Sequence, residues 1–524
     1  MRLRSVTVWL VLAVPAALRA QALAPRDSAL HALNRLAYGP RPGEVDSVAR
    51  MGVMRWIERQ LDFERGRDDR LATRERDFKL LSYDREELAQ RYGDALRERR
   101  EMQREMAQSG DTTRPGGAGP MREFRELGGE LQQVAVVRAV LSERQLREVM
   151  VDFWANHFNV FVGKGADRFL TPSYIEETIR PNALGRFEDL LIATAQSPAM
   201  MFYLDNAQSV APGSSPPVPL SALRRGGTQR RVPTGINENY ARELLELHTL
   251  GVDGGYTQQD VIAVARIFTG WSIDRPQQGG GFAFHAWAHD HGEKQVLGVR
   301  IKEGGMEEGI RLLKVLANQH ATMHHVSRKL CARFVSDEPP DGCVDAAALA
   351  WQRTNGDIRA VLRAIFTSPD FWAPQAVRAK VKTPLEFVIS AVRATAAEPD
   401  STLRLAQVVA RLGEPLYLQP APTGYPETQA QWVNSGALLG RMNAAVALAA
   451  DRLPGASVNV DEVVPATADY EALVDAVNAR VLGGTMSAHT RAVILEQLAD
   501  VNDPVQARTL AVGLALGGPE FQRQ

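Results

Sequence analysis

The chain has 524 residues, and its 61 basic and 62 acidic side chains nearly cancel. That balance excludes a global field that would draw it to nucleic acid or to an anionic membrane surface. Two cysteines are too few for a thiolate zinc cluster, and a sequence rich in Ala, Leu and Arg with 7% aromatics leans helical.

At the N-terminus, Arg2 and Arg4 precede an apolar run from Val6 to Leu18, and Ala20-Gln21-Ala22 supplies a small-residue cleavage site. A spanning helix needs roughly twenty apolar residues, so this run reads as a cleavable signal peptide over 1–22 rather than an anchor. The expected destination is the periplasm or the medium. No later segment is long and apolar enough to span, and no cysteine near the cleavage site offers a lipid anchor.

Helix boundaries follow in order. Ser142-Glu143-Arg144-Gln145 has capping-box form and opens a helix through LREVMVDFWANHF. Thr257 to Asp260 starts a second, and Thr383-Pro384-Leu385-Glu386 joins an N-cap, a first-position proline and a capping glutamate. Gly251 and Gly270 suit left-handed helix ends. In LLIATAQSPAMM, VLRAIFTSPDFW and LAVGLALGGPEF a proline restricts its predecessor and ends the helix. Residues 84–120 and 207–234 read as solvated insertions: a charged helix with a flexible loop, and a Pro/Ser/Gly-rich loop containing LRRGGTQRR. Alternation over Gly281–Ala288, a join at His289-Asp290-His291-Gly292 and the run KQVLGVRI predict one small hairpin near 281–300. The fold class is mainly α, a large multi-helix assembly with that minor hairpin.

Four clusters bear on chemistry. On the helix from Glu238 to Leu250, Asn239, Glu243 and Glu246 share one stripe at about 100° per residue, with Arg242 at its edge. Two carboxylates one turn apart suit a divalent cation, or an acid raised in pKa by its neighbour; a solvated face with Arg242 pairing Glu246 is the plain alternative. His289-Asp290-His291 in the predicted turn offers a metal ligand or a base, against ordinary turn capping by the aspartate. His320 and His324 have zincin spacing, but Ala321 stands where that motif needs glutamate. His157 closes its helix, as a ligand or as a C-terminal imidazole. Cys331 and Cys343 pair as a disulfide in an oxidising compartment, or remain two buried thiols. No G-x-S-x-G, phosphate-loop or dinucleotide fingerprint occurs.

The blocks LNRLAYGPRPGEV, WIERQL, FWANHFNV, IRPNALGRFEDLL, SPAMMFYLDN and NENYARELLELHTLG appear in order. YTQQDVIAVARIFTGW, HDHGEKQVLG, RKLCARFVSDEPP, GDIRAVLRAIFTSPDFW, KTPLEFV and GYPETQAQWVNSGALLGRM complete the series. In these the chain resembles the bacterial secreted family known as domain of unknown function 1800. The resemblance implies one large helical unit over 23–524. It maps recurring polar positions onto Asn156, His157, Asn237 to Asn239, Arg242, Glu243, Glu246, His289, Asp290, Lys294 and His320, leaving out His291, His324 and His325. It also implies a co-exported partner resembling sulfatases and phosphatases. Two functions of different class follow. One is a scaffold, binding or accessory protein beside that partner. The other is a metal-assisted hydrolase of an extracellular polymer or ester. Its metal would be held by His157, Asn239, Glu243, Glu246, His289 and His320, with Glu243, His289 and Asp290 in the chemistry and Lys294 or Arg242 steadying negative charge.

Overall fold

The computed structural model describes residues 23–62, 68–109, 122–214 and 235–524. The expected signal peptide over 1–22, most of the glycine-rich stretch after the charged helix and the LRRGGTQRR segment lie outside them. The described chain is mainly helical, at 62%, with three small two-stranded antiparallel sheets. A continuous cluster of buried apolar side chains runs from Ala29 to Phe521 and takes in Trp154, Trp271 and Trp351. Among the described residues no helix is long and apolar enough to cross a membrane.

The local signals act where the sequence puts them. Thr257 and Asp260 form a reciprocal capping box, as do Thr383 and Glu386 with Pro384 in the first turn. Ser197, Ser368 and Gly518 are extended at the ends of their helices, held there by the proline or by the turn that follows. Helix Gln145–His157 starts differently from expectation: Ser142 Oγ accepts from the N–H of Arg144, while the Gln145 side chain returns to the carbonyls of Ser142 and Ala139. The charged helix Arg85–Ser109 is anchored at its start, where Leu88 and Ala89 are buried and Arg85 Nε donates to Gly279 O at 2.6 Å.

A small hairpin is present in the expected stretch near 281–300, but its strands and its join differ from the expectation. Phe282–Phe284 pairs backwards with Trp271–Ile273, and Lys294–Val296 pairs forwards with Val299–Ile301. The turn between the latter two is Leu297-Gly298, both at positive φ, the geometry that two-residue hairpin loops prefer. His289–Gly292 is therefore a connector between two hairpins and not a hairpin tip. A third sheet joins Glu398–Pro399 to Ala456–Ser457.

Cys331 and Cys343 form a disulfide with Cα atoms 6.3 Å apart. Cys343 already lies in helix Asp341–Thr354, so the bond staples two consecutive helices. Such a bond fits an oxidising compartment.

Candidate functional site

The FWANHFNV block ends the helix Gln145–His157 and is sewn to a distant loop. Asn156 Nδ2 donates to Tyr425 O at 2.8 Å, and Tyr425 N returns to Asn156 Oδ1 at 2.6 Å. Asn159 Nδ2 donates to the carbonyls of Gln419 and Ala421. Gly424 makes this approach possible: its φ is +71°, and a Cβ there would meet Asn156 O at 2.4 Å.

Beneath this seam lies Arg333, buried and surrounded by acids from three other blocks. Its guanidinium is 3.1 Å from Glu386, 3.4 Å from Glu427 and 3.5 Å from Asp152. Glu386 also accepts from Thr383 N at 2.8 Å, so one carboxylate caps a helix and neutralises Arg333. Burial opposes the charge on Glu386, but Arg333 and these hydrogen bonds hold its carboxyl below the usual range. Asp152 and Glu414 go the other way. Burial, with Glu427 and Glu386 adding repulsion, pushes Asp152 up to about 7 against the pull of Arg333. Burial and the Asp152 charge push Glu414 up to about 8. Between them is a space of about 30 Å³, lined by Asp152, Asn159, Glu414, Tyr425 and Glu427. That is room for a water or two, and for no substrate.

His157 faces inward beside this hub. Its Nε2 lies 3.2 Å from the His248 carbonyl, which only accepts, so Nε2 carries the proton and Nδ1 takes one from Lys329 Nζ at 2.9 Å. Burial and the Lys329 charge hold His157 well below its ordinary value, which keeps the ring neutral. Burial likewise lowers His248 to about 3, His325 to about 4 and Lys329 to about 8. His320 is elsewhere, exposed at the start of its helix and against the ring of His324, with centroids 4.3 Å apart.

The HDHGEK connector folds into a closed charge network. Asp290 accepts two parallel bonds from Arg266, each 2.9 Å, and a third from Gly292 N. Lys294, 2% exposed, donates to Glu308 Oε2 at 2.7 Å and to the Asp290 carbonyl. Both ring nitrogens of His289 face oxygens, Thr269 O at 2.9 Å and Glu308 Oε1 at 3.1 Å. Glu308, with 0% exposure, also accepts from Gly304 and Gly305 at the start of helix Met306–Ala317. Burial would raise both carboxyls, but Lys294 and His289 hold Glu308 low, and Arg266 holds Asp290 low. The close approach of His289 depends on Gly270, where a Cβ would sit 2.6 Å from His285 O.

The third cluster is more open. Asn239 is exposed and Glu243 and Glu246 are partly buried. Asn237 Oδ1 caps the Asn239 N–H at 2.8 Å, tying NEN to the helix start. Arg242 reaches Glu238 at 3.3 Å and Gln258 at 3.0 Å, not Glu246. From Leu244 the helix widens into i→i+5 turns, with Leu250 N donating to Leu245 O at 2.9 Å, so the stripe leaves strict 3.6-residue register. The two acids remain neighbours: burial and Glu246 together raise Glu243, while Tyr256 OH lies 3.4 Å from Glu246 Oε2.

The fold thus brings His289, Asp290 and Lys294 together, and separately Glu243 with Glu246. The first group bonds to Arg266, Thr269 and Glu308, whereas in the second Glu246 meets Tyr256 and adjoins Glu243. Among the described residues no group of three or more His, Cys, Asp or Glu side chains is arranged to hold a metal ion. Residue reasoning passed over Arg333, Asp152, Glu308, Glu414 and Glu427, and took Glu386 only as a cap. Arg333, Glu386 and Glu427 lie in the blocks RKLCARFV, KTPLEFV and GYPET, which meet at one point.

No curated protein and no solved structure matches the chain. The family described as "Protein of unknown function (DUF1800)" matches residues 31–523, which is nearly the whole sequence, and the chain belongs to that family.

Proposed function

We propose that this is an exported helical binding or accessory protein, working beside a co-exported partner that resembles sulfatases and phosphatases. Support for export comes from the Arg2/Arg4 start, the apolar run Val6–Leu18 and the cleavage signal at Ala20-Gln21-Ala22, together with the Cys331–Cys343 disulfide.

One observation carries the non-catalytic reading. The acid, base and ammonium of the HDHGEK connector direct their bonds at one another and at Glu308, Arg266 and Thr269. A general base must reach a substrate proton, and a buried group already engaged on both sides is positioned for architecture instead.

The test uses the purified full chain on aryl phosphate, aryl sulfate and ester substrates, with and without added Zn²⁺ or Mn²⁺. The expected result is the same background rate for the wild type and for the Glu243→Gln/Glu246→Gln variant, with a stable complex when the co-exported partner is expressed alongside. A metal-dependent rate that the folded double variant loses would establish the hydrolase in its place.

A further inference from the structure

A cavity of about 210 Å³ lies between the N-terminal helix Pro25–Leu36 and the last turn of the chain. Leu30, Val377, Val481, Leu482 and Phe521 make most of its wall apolar. Lys382 enters it from the segment before helix Pro384–Ala394, its backbone N–H fixed on Gln522 O at 2.9 Å. The residue is 3% exposed, and its Nζ lies 3.8 Å over the Phe521 ring. No hydrogen-bond acceptor among the described residues takes its protons. The acid that acts on it most, Glu386, is already committed to Arg333 and to the Thr383 cap.

A second cation points the same way. Arg378 lines the cavity from a left-handed backbone, φ +57°, a conformation that costs free energy for a side chain of this kind. Its guanidinium makes one long bond, Nη1 to Thr485 O at 3.5 Å, and its Nε has no partner. On the acidic side, Glu520 Oε1 is taken by Ser487 N and Thr490 Oγ1. Its Oε2 has no partner and sits near enough to act on Arg378.

An ammonium in an apolar wall costs several kcal/mol unless something pairs with it. Burial accordingly lowers Lys382 to about 7, with Arg441 and Arg378 adding to the effect and Glu386 opposing it. Two other buried cations are matched by acids: Arg333 has three and Lys294 has two. Lys382 instead faces an open, mostly apolar space. We propose that this cavity binds a small amphiphilic monocarboxylate, whose carboxylate pairs with Lys382 while its apolar body packs on Leu30, Val377, Leu482 and Phe521. An engineered cavity of about 150 Å³ accepts benzene, so the space here takes an acid of roughly seven to ten heavy atoms. The site stands apart from the partner reading above and does not depend on it.

The test is calorimetric titration of the full chain with octanoate, and with octanol as its uncharged counterpart, at pH 6.5. The account predicts one octanoate site, octanol at least tenfold weaker, and at least a tenfold loss in Lys382→Met. Because that substitution removes an unpaired buried charge, its thermal midpoint should hold or rise, which separates lost binding from lost folding. Leu30→Trp, which fills the space and keeps the lysine, should abolish both ligands. Equal affinity for octanol and octanoate, unchanged binding in Lys382→Met, or no binding by the wild type would each overturn the assignment.

Discussion

Lys294 and Lys382 are both buried lysines, and the fold treats them in opposite ways. Lys294 sits between the Glu308 carboxylate and the Asp290 carbonyl, in a network where burial is offset bond by bond. Lys382 has a ring face and an apolar space. Burial of a charge is thus no mark of function by itself. What separates architecture from recognition is whether the chain supplies the counter-charge, and the residues nominated from the sequence fall mainly on the side where it does.

The largest loss is expected at the Arg333 hub, where the chain supplies three counter-charges. Arg333→Met leaves Asp152, Glu386 and Glu427 without their cation, and loss of one partner from a buried pair costs about 3–5 kcal/mol. Urea denaturation of this variant should show at least that loss, or an unfolded chain. Next in size is the disulfide on the same helix. Replacing Cys331 and Cys343 together by Ala should cost about 3 kcal/mol for a closed loop of this length, read as a drop in the denaturation midpoint.

The two acidic regions also respond oppositely to pH. Glu308 and Asp290 are depressed in the fold, so their contribution is present above the ordinary carboxylate range and disappears as pH falls through their lowered values. Asp152 and Glu414 are raised to about 7 and about 8, so the fold keeps protons that the unfolded chain releases. Their contribution is complete below the ordinary carboxylate range and is lost as pH rises towards neutrality. Thermal midpoints from pH 4 to 8 should therefore fall less steeply in Asp152→Asn than in the wild type, while Asp290→Asn loses stability chiefly above pH 4. The smallest effect is expected on the open face: Glu243→Gln and Glu246→Gln should each change stability by no more than about 0.5 kcal/mol.

How much of this was legible follows from the range of each interaction. The Thr257 and Thr383 capping boxes and the proline stops act within three or four residues, so the sequence carries them whole. The helical class follows from the same signals summed along the chain. The hairpin's turn was misplaced because two turn signals lie close together, and Leu297-Gly298, with both residues at positive φ, closes the tighter loop. The Glu243/Glu246 stripe was placed with a 3.6-residue period that the wide turns from Leu244 do not keep. The Arg333 hub was out of reach altogether. Asp152 is 181 positions from Arg333 and Glu427 is 94, and no periodicity connects them.

The most direct test of the central claim, that the HDHGEK residues brace the fold, is a double-mutant cycle on Lys294→Met and Glu308→Gln by urea denaturation. The account predicts a loss of about 3–5 kcal/mol for Lys294→Met, with the double variant clearly more stable than the two single losses added together. Single variants as stable as the wild type, or losses that add within about 0.5 kcal/mol, would contradict it.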